Sequence, residues 1–406
     1  IANNGDMASS AVAIGNHARA GKWLTTAVGT FAETTGEGNV AVGYNANAGG
    51  YGAWLNTTGV EEHNNNATAV GHDSLALKEN TSAYGNTAKA YGANSTALGQ
   101  SAVGGDATDA TKANATAVGQ SASAADKNTT ALGQQASAAK EGATAVGQAA
   151  TAKAKNSTVI GLGATGETEG ATAIGQGATA GANPGDVAVG NGSATAAVVG
   201  TNDATVNGIK YSGFAGNNPG ATVSVGGTIK RTITNVGAGR IDSTSTDAIN
   251  GSQLYLTQEV IGNIGQSTVN ILGGNAQFAP NKADSKGNIT ITNIGGTGKN
   301  TVHDAIKYLN DGFTITTSKS NGEVNGTTNA SVKPGNTVTV DAGKNIQITQ
   351  MDKKISVATK DDLTVTSVKA GDSTLNNNGL TINGGPSITK TGGVNAGGKQ
   401  ITNVAS

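Results

Sequence analysis

Residues that could carry acid–base, nucleophilic or metal chemistry are few and scattered in this chain. The four histidines, His17, His63, His72 and His303, have no companions at ligand spacing, so no metal is expected. Gly296-Thr297-Gly298-Lys299-Asn300-Thr301 invites a phosphate-loop reading. It fails, because no glycine stands five residues before Gly298 and Asn300 replaces the required Ser or Thr. Gly104-Gly105-Asp106-Ala107-Thr108-Asp109 touches the calcium-binding nonapeptide pattern, but only once. No Gly-x-Ser-x-Gly elbow occurs, and serines in repeated positions interchange with Ala and Thr, which a scaffold tolerates and a nucleophile does not. Asn-x-Ser/Thr triplets such as Asn94-Ser95-Thr96 follow from the repeat and carry little information about glycosylation. The expectation is a protein that is not an enzyme and needs no cofactor. The one compact charge cluster is Arg240, Asp242 and Asp247, read as an ion-pair set between a wide β section and a narrow helical bundle, against solvated loop charge.

Composition agrees. The 406 residues include 62 glycines, 4 Phe, 2 Trp and no cysteine, which removes disulfides and thiolate chemistry and cannot build aromatic-rich cores. A net charge of -1 implies no bulk attraction to nucleic acid or anionic membrane. No stretch approaches the ~18 to 20 apolar residues of a spanning helix, and residues 1–20 lack a signal-peptide pattern, so the chain is expected to be soluble or a processed piece.

What positions side chains here is a repeat. An apolar-apolar-Gly triplet recurs with Gly15, Gly29, Gly43, Gly71, Gly85, Gly99, Gly119, Gly133, Gly147, Gly161, Gly175 and Gly190. The period is 14 residues, with one double step, one six-residue insertion and one extra residue. Counting from each glycine as zero, position -1 is Val, Ile, Leu or Tyr, position -2 is Ala in all but Val159, and +3 and +5 are small. Two glycine-bearing, Asn/Thr-rich segments per repeat argue against helix, since each Gly costs about 1 kcal/mol there. Two short strands and two turns per repeat, stacked at ~4.8 Å, predict a parallel β-solenoid about 55–60 Å tall for twelve layers. In uninterrupted extended chain, -1, +3 and +5 would share one face and -2 and Gly the other. Both faces are then small or apolar. One coil has one interior, so the Ala/Gly face is expected to meet another copy of the chain. Position +1 carries Gln100, Gln120, Gln134, Gln148 and Gln176, either an amide ladder or a hydrophilic turn.

After residue 200 the period fades. Ile233-Thr234-Asn235-Val236-Gly237 leads to Arg240, Asp242, Asp247 and Ile249; Thr244 with Asp247 has capping-box spacing, and Ile249, Leu256 and Val260 predict a helix under three heptads long. A second Ile291-Thr292-Asn293-Ile294 precedes Val302, Ala305, Ile306 and Leu309, one apolar face of a two-turn helix. Ile401 to Val404 begins the theme a third time. Between them, strands are expected at Thr337–Val340 and Ile346–Ile348.

Asn114-Ala115-Thr116-Ala117-Val118-Gly119-Gln120-Ser121 and Asn156-Ser157-Thr158-Val159-Ile160-Gly161 resemble the head repeat of the YadA-like trimeric autotransporter adhesins, and residues 235–255 resemble that family's neck. Residues 263–310 resemble its Trp-ring module without a tryptophan, and 372–400, with Gly379-Leu380-Thr381-Ile382-Asn383-Gly384-Gly385-Pro386, its GIN module. The resemblance implies an all-β-dominated homotrimer: a left-handed parallel β-roll head over 1–228, a neck and short coiled-coil helix over 229–262, a Trp-ring-like module over 263–310 and a GIN-like module over 311–406. Asn235, Gly237, Arg240, Asp242, Asp247 and Ile249 would be structural neck residues. It further implies a passenger on the outer surface of a Gram-negative bacterium, touching the membrane only through a C-terminal anchor outside this sequence. Collagen, fibronectin, laminin, host cells and abiotic surfaces are the partners so implied.

Seven of the 13 aromatics precede residue 92, which makes Trp23, Tyr51 and Trp54 candidate adhesive residues, the alternative being a cap on the solenoid's open end. A trimeric phage or viral fibre is the rival reading, disfavoured by the Asp-Ala-Ile junctions. A polysaccharide-cleaving solenoid is disfavoured by the lack of a carboxylate or basic cluster.

Overall fold

Alanine dictates the shape of the first part of the molecule. The computed structural model describes residues 10–50, 63–109, 111–206, 208–278 and 288–405, and its contacts divide the chain into two units, Ile1–Thr257 and Gln258–Ser406. In the first unit the repeated coils contribute a three-residue strand, such as Thr116–Val118, and, in all but the last, a two-residue strand, such as Ser123–Ala124. The long strands form a parallel sheet of thirteen and the short ones a parallel sheet of eleven. Register advances by one repeat per layer: Thr116 lies beside Thr130 and Thr130 beside Thr144.

Four positions per coil, -4, -2, +3 and +5, point into the interior, as Ala115, Ala117, Ala122 and Ala124 do in one layer. Alanine fills -2 in all coils but one and most of +3 and +5, while -4 also takes Thr, Ser, Asn39 and Asp186; Val159 is the largest fully buried side chain among the described residues. This corrects the expectation from parity, which put -2 on the face toward a neighbouring chain and -1 inside. The alternation is broken at the corner. Gly119 has φ 132° and Ser121, at +2, sits in the left-handed region at φ 55°, so the chain turns and the two strands of a coil join different sheets. The second apolar face is therefore the -1 column rather than the alanines.

The repeat glycine has an intrachain reason. A Cβ on Gly133 would lie 2.5 Å from the carbonyl oxygen of Gly147, and one on Gly161 2.5 Å from that of Gly175. Layer stacking excludes any side chain there, in a backbone conformation that already disfavours one.

The irregular steps are resolved by register. The double step is one coil carrying an insertion, because Val40 pairs with Thr68 and Asn47 with Leu75. At the six-residue insertion Val103 pairs with Ser123, and the added residues form turns in which Asp106 accepts from Thr108 and Asp109 from Thr111. Beyond Gly190 the chain makes a hairpin, Asp203–Val206 with Ile209–Ser212, and returns as Val223–Ser224 beside Val187–Val189. That strand adds a thirteenth layer to the long sheet without a repeat glycine to announce it.

Helix α1 (Gly251–Leu272) has 22 residues, longer than the expected stretch. It runs through the boundary drawn at 262/263. Its cap is not Thr244 with Asp247 but Asn250 with Gln253, whose amides reach each other's backbone N–H at 3.3 Å in both directions. Gly265 packs against Phe278.

In the second unit, helix α2 (Val302–Asp311) begins at Thr301, whose hydroxyl accepts from Asp304 N at 3.0 Å and donates to the Asp304 carboxylate at 2.7 Å. Ala305 is buried, whereas Val302, Ile306 and Leu309 on the expected apolar face are exposed. Ile346–Met351 pairs antiparallel with Lys354–Thr359. Thr337–Val340, expected as a strand, is irregular: it has no partner strand among the described residues, and Val338 and Val340 stand exposed. An antiparallel meander of five strands spans Ser367–Ala370, Ser373–Asn376, Gly379–Ile382, Ser387–Thr389 and Gly393–Asn395.

Candidate functional site

Because the interior takes alanine, the long strands turn their larger side chains outward. Position -1 forms an apolar column in which Leu98, Leu132 (45%), Ile160 (42%), Ile174 and Val189 are exposed. Beside it runs the -3 column of Thr116, Thr130, Thr144, Thr158 and Thr172. Helix α1 likewise exposes Leu254, Ile261, Ile264 and Ile271, the last at 84%. Single aliphatic residues on a surface are ordinary; columns repeated layer upon layer are not.

The coil corners carry ladders. Gln120 donates to Gln100 at 3.1 Å, Gln134 to Gln120 at 2.8 Å and Gln148 to Gln134 at 3.0 Å, so the +1 glutamines are an amide ladder. At the opposite corner Asn80 donates to Asn94 at 3.1 Å, Asn94 to Asn114 at 3.2 Å and Asn114 to Asn128 at 3.1 Å. These asparagines have φ near 57°, which their short polar side chains tolerate.

In the first coils the +1/+2 corner bears rings. His17 stacks on Phe31 at 5.1 Å, Phe31 meets Tyr44 edge-on at 6.1 Å and Tyr44 stacks on His72 at 4.9 Å. Phe31 (44%) and Tyr44 (49%) are exposed. Sequence reasoning did not single out these two. Their signal was columnar, since they occupy the corner that holds Ser121 and Gln120 further along. Trp23, a sequence candidate, is 51% exposed beside exposed Leu24, whereas Tyr51 and Trp54 lie outside the described residues.

At the junction ahead of α1, Arg240 Nε and Nη2 donate to the Asp247 carboxylate at 2.8 and 3.1 Å. The Arg240 side chain, and then its backbone N–H, hold the Asp247 carboxyl below the usual range. Asp242 is not in this pair; its side chain accepts from Thr244 Oγ1 and N, which lower its pKa. Asn235 takes the left-handed conformation, as Asn293 and Asn403 do at the other two Ile-Thr-Asn positions. Asn250 Nδ2 donates to Val236 O at 3.2 Å, and Gln253 clamps Gly239 through both backbone groups, at 2.9 and 2.7 Å. Gly237 has open space at its Cβ position; Gly239, which sequence reasoning passed over, has none. Ile249 is exposed.

Asp186 pins the end of the solenoid. Burial alone would raise its pKa, but Thr222 N and Asn183 N donate to the carboxylate at 2.8 Å each, and the group is held at about 2. Among the described residues no group of three or more His, Cys, Asp or Glu could hold a metal, and no helix is long and apolar enough to cross a membrane.

The family model for the coiled stalk of trimeric autotransporter adhesins matches residues 232–277. That for the YadA head domain repeat matches 24–46, 64–87, 76–102, 110–136 and 138–164. The autotransporter adhesin BtaE of Brucella suis biovar 1 is 34% identical over 226 residues, 55% of this chain and 23% of that protein. The trimeric autotransporter adhesin AtaA of Acinetobacter sp. strain Tol 5 is 36% identical over 195 residues, 44% of this chain and 5% of that protein. The chain thus spans less than a quarter of the length of either relative. Among solved structures, the collagen-binding domain of the Yersinia adhesin YadA is 24% identical, with a TM-score of 0.34 over 44% of this chain and 86% of that one.

Proposed function

Since the chain belongs to the YadA-like trimeric autotransporter adhesins, we propose that it is a passenger segment displayed on the outer surface of a Gram-negative bacterium. It acts there as a homotrimer that attaches the cell to matrix proteins, host cells or abiotic surfaces. The observation that carries the reading is the uncovered -1 column of Leu98, Leu132, Ile160 and Ile174, followed along the chain by the uncovered apolar residues of α1. Identical chains around an axis would cover each column with its own copies, an arrangement that needs no second gene product.

The mechanism is physical. The glycines from Gly15 to Gly190 keep the layers in register, so one side-chain pattern is offered at every step of the head and three times around it. Contacts that are individually weak then add through effective concentration. Asn235, Arg240, Asp247 and Gln253 brace the segment that leads into the start of α1. The division at 1–228, 229–262, 263–310 and 311–406 is part of this proposal, with α1 bridging the second boundary. Trp23 is the exposed aromatic best placed to act as an adhesive anchor.

The test is attachment. Beads coated with the purified chain are applied to collagen, fibronectin, laminin and polystyrene, and separately to cultured cells. Saturable retention on at least one surface, lost when the chain is dissociated to monomers, is expected. No retention on any of them would sink the adhesive reading.

A further inference from the structure

We infer that the hairpin of Asp203–Val206 and Ile209–Ser212 is a clasp whose one face lies on the head of a neighbouring copy of the chain. The inference rests on the homotrimer of the proposed reading and adds a contact that the -1 column does not supply. Among the described residues the two strands pair only with each other. Their register sets Ala204 opposite Tyr211 and Val206 opposite Ile209, so these four side chains share one face. Asp203, Thr205, Lys210 and Ser212 take the other, where Lys210 and Asp203 form an ion pair at 3.0 Å. The polar face suits water. The apolar one meets water without cover, since Val206 and Tyr211 are exposed and Ile209 is 58% exposed. A two-stranded sheet alone is marginal in water and needs a packed face.

The foot of the hairpin is fixed in its own head. Thr201 N donates to Asn217 O and Asn217 Nδ2 to Asn202 Oδ1, both at 2.9 Å. In the chain the hairpin falls between Val187–Val189 and Val223–Ser224, which lie side by side as the last two layers of the long sheet. In a trimer whose axis runs along the columns, rotation shifts no chain along that axis, so a hairpin leaving one head at these layers meets its neighbour at about the same layers. The outward surface there is apolar and open. Val189 ends the -1 column, and Val223, in register with Val187, is 73% exposed. A permanent apolar face requires a permanent cover, which a second copy supplies from assembly onward and a receptor met later does not.

The probe is a photo-activated cross-linker within the full chain, Tyr211→p-benzoylphenylalanine, with Thr205→p-benzoylphenylalanine on the polar face as the control. Irradiation of the assembled chain should give covalent dimers and trimers on a denaturing gel from position 211 and few from 205, with the linked peptides mapping to the last two layers of another copy. Val206→Thr with Ile209→Thr keeps β-branched strand formers while removing the apolar face. That variant should raise the dissociation constant of the assembly about tenfold or more and leave the β-sheet circular dichroism of the coils in place. Cross-links confined to single chains, equal yields from the two positions, cross-links that appear only when a matrix protein is added, or assembly undisturbed by the double variant would each overturn the inference. Retention on surfaces without inter-chain cross-links refutes the clasp and leaves the adhesive reading; cross-links without retention do the reverse.

Discussion

Replacing Gly133 by Ala separates two reasons a repeat glycine could exist. If the glycine let neighbouring chains approach, a methyl group there would weaken assembly and leave each coil intact. In the structure the methyl group meets its own chain instead, with Gly147 O at 2.5 Å and Gly147 C at 2.6 Å, and φ is 136°. A non-glycine residue in such a region costs of order 1–3 kcal/mol. The clash adds to this, since the opposing atoms are backbone and cannot rotate away; overpacking of this kind costs typically 1–3 kcal/mol. The expected loss is therefore roughly 3–5 kcal/mol. The assay is urea unfolding at one fixed protein concentration, with Gly177→Ala as the control. Gly177 has φ 63° and open space at its Cβ position, so the control should lose only about 1–2 kcal/mol. Equal losses for the two variants, or a loss below about 1 kcal/mol for Gly133→Ala, would refute the stacking role assigned to the glycines.

Three further outcomes follow from the same geometry. Asp186→Asn should destabilise the head; and because the folded pKa is depressed from 3.8 to about 2, the stabilisation from this carboxylate, about 2 kcal/mol, is present above pH 4 and lost as pH falls through 3.8 toward 2, which acid unfolding of wild type and variant will reveal. Leu132→Lys with Ile160→Lys should dissociate the assembly at micromolar concentration while leaving the β-sheet circular dichroism of the coils in place; an undisturbed oligomer would exclude the -1 column as the interface. Arg240→Ala should lower the melting temperature of the neck, more at neutral pH than in acid, where Asp247 is protonated below its depressed pKa; an unchanged melting curve would reduce the Arg240–Asp247 pair to solvated loop charge.

Much of this architecture was legible as columns in the sequence. The glycine period gives the layers, the +1 glutamines form the ladder offered as one of two readings, and of the expected Arg240, Asp242 and Asp247 set only Arg240 and Asp247 pair, Asp242 bonding Thr244 instead. What parity could not supply was which face is inside. The corner uses left-handed backbone at Ser121, Gln135 and Ala149, residue types that do not announce it, and this reverses the assignment of positions -1 and -2. Other features depend on partners far along the chain. Asp186 is bonded by Thr222, 36 residues later, and Gln253 by Gly239, 14 residues earlier. The outward residues Phe31 and Tyr44 were obscured because aromatic scarcity drew notice to tryptophan, whereas stacking depends on the ladder position. Thr337–Val340 has strand-like alternation but no partner strand among the described residues.

The measurement that bears most directly on the central claim is the mass of the assembled chain by sedimentation equilibrium in dilute neutral buffer. A particle three times the 39.6 kDa chain mass is expected, persisting as concentration falls. A folded, stable single chain, with Leu132 and Ile160 open to water, would contradict it.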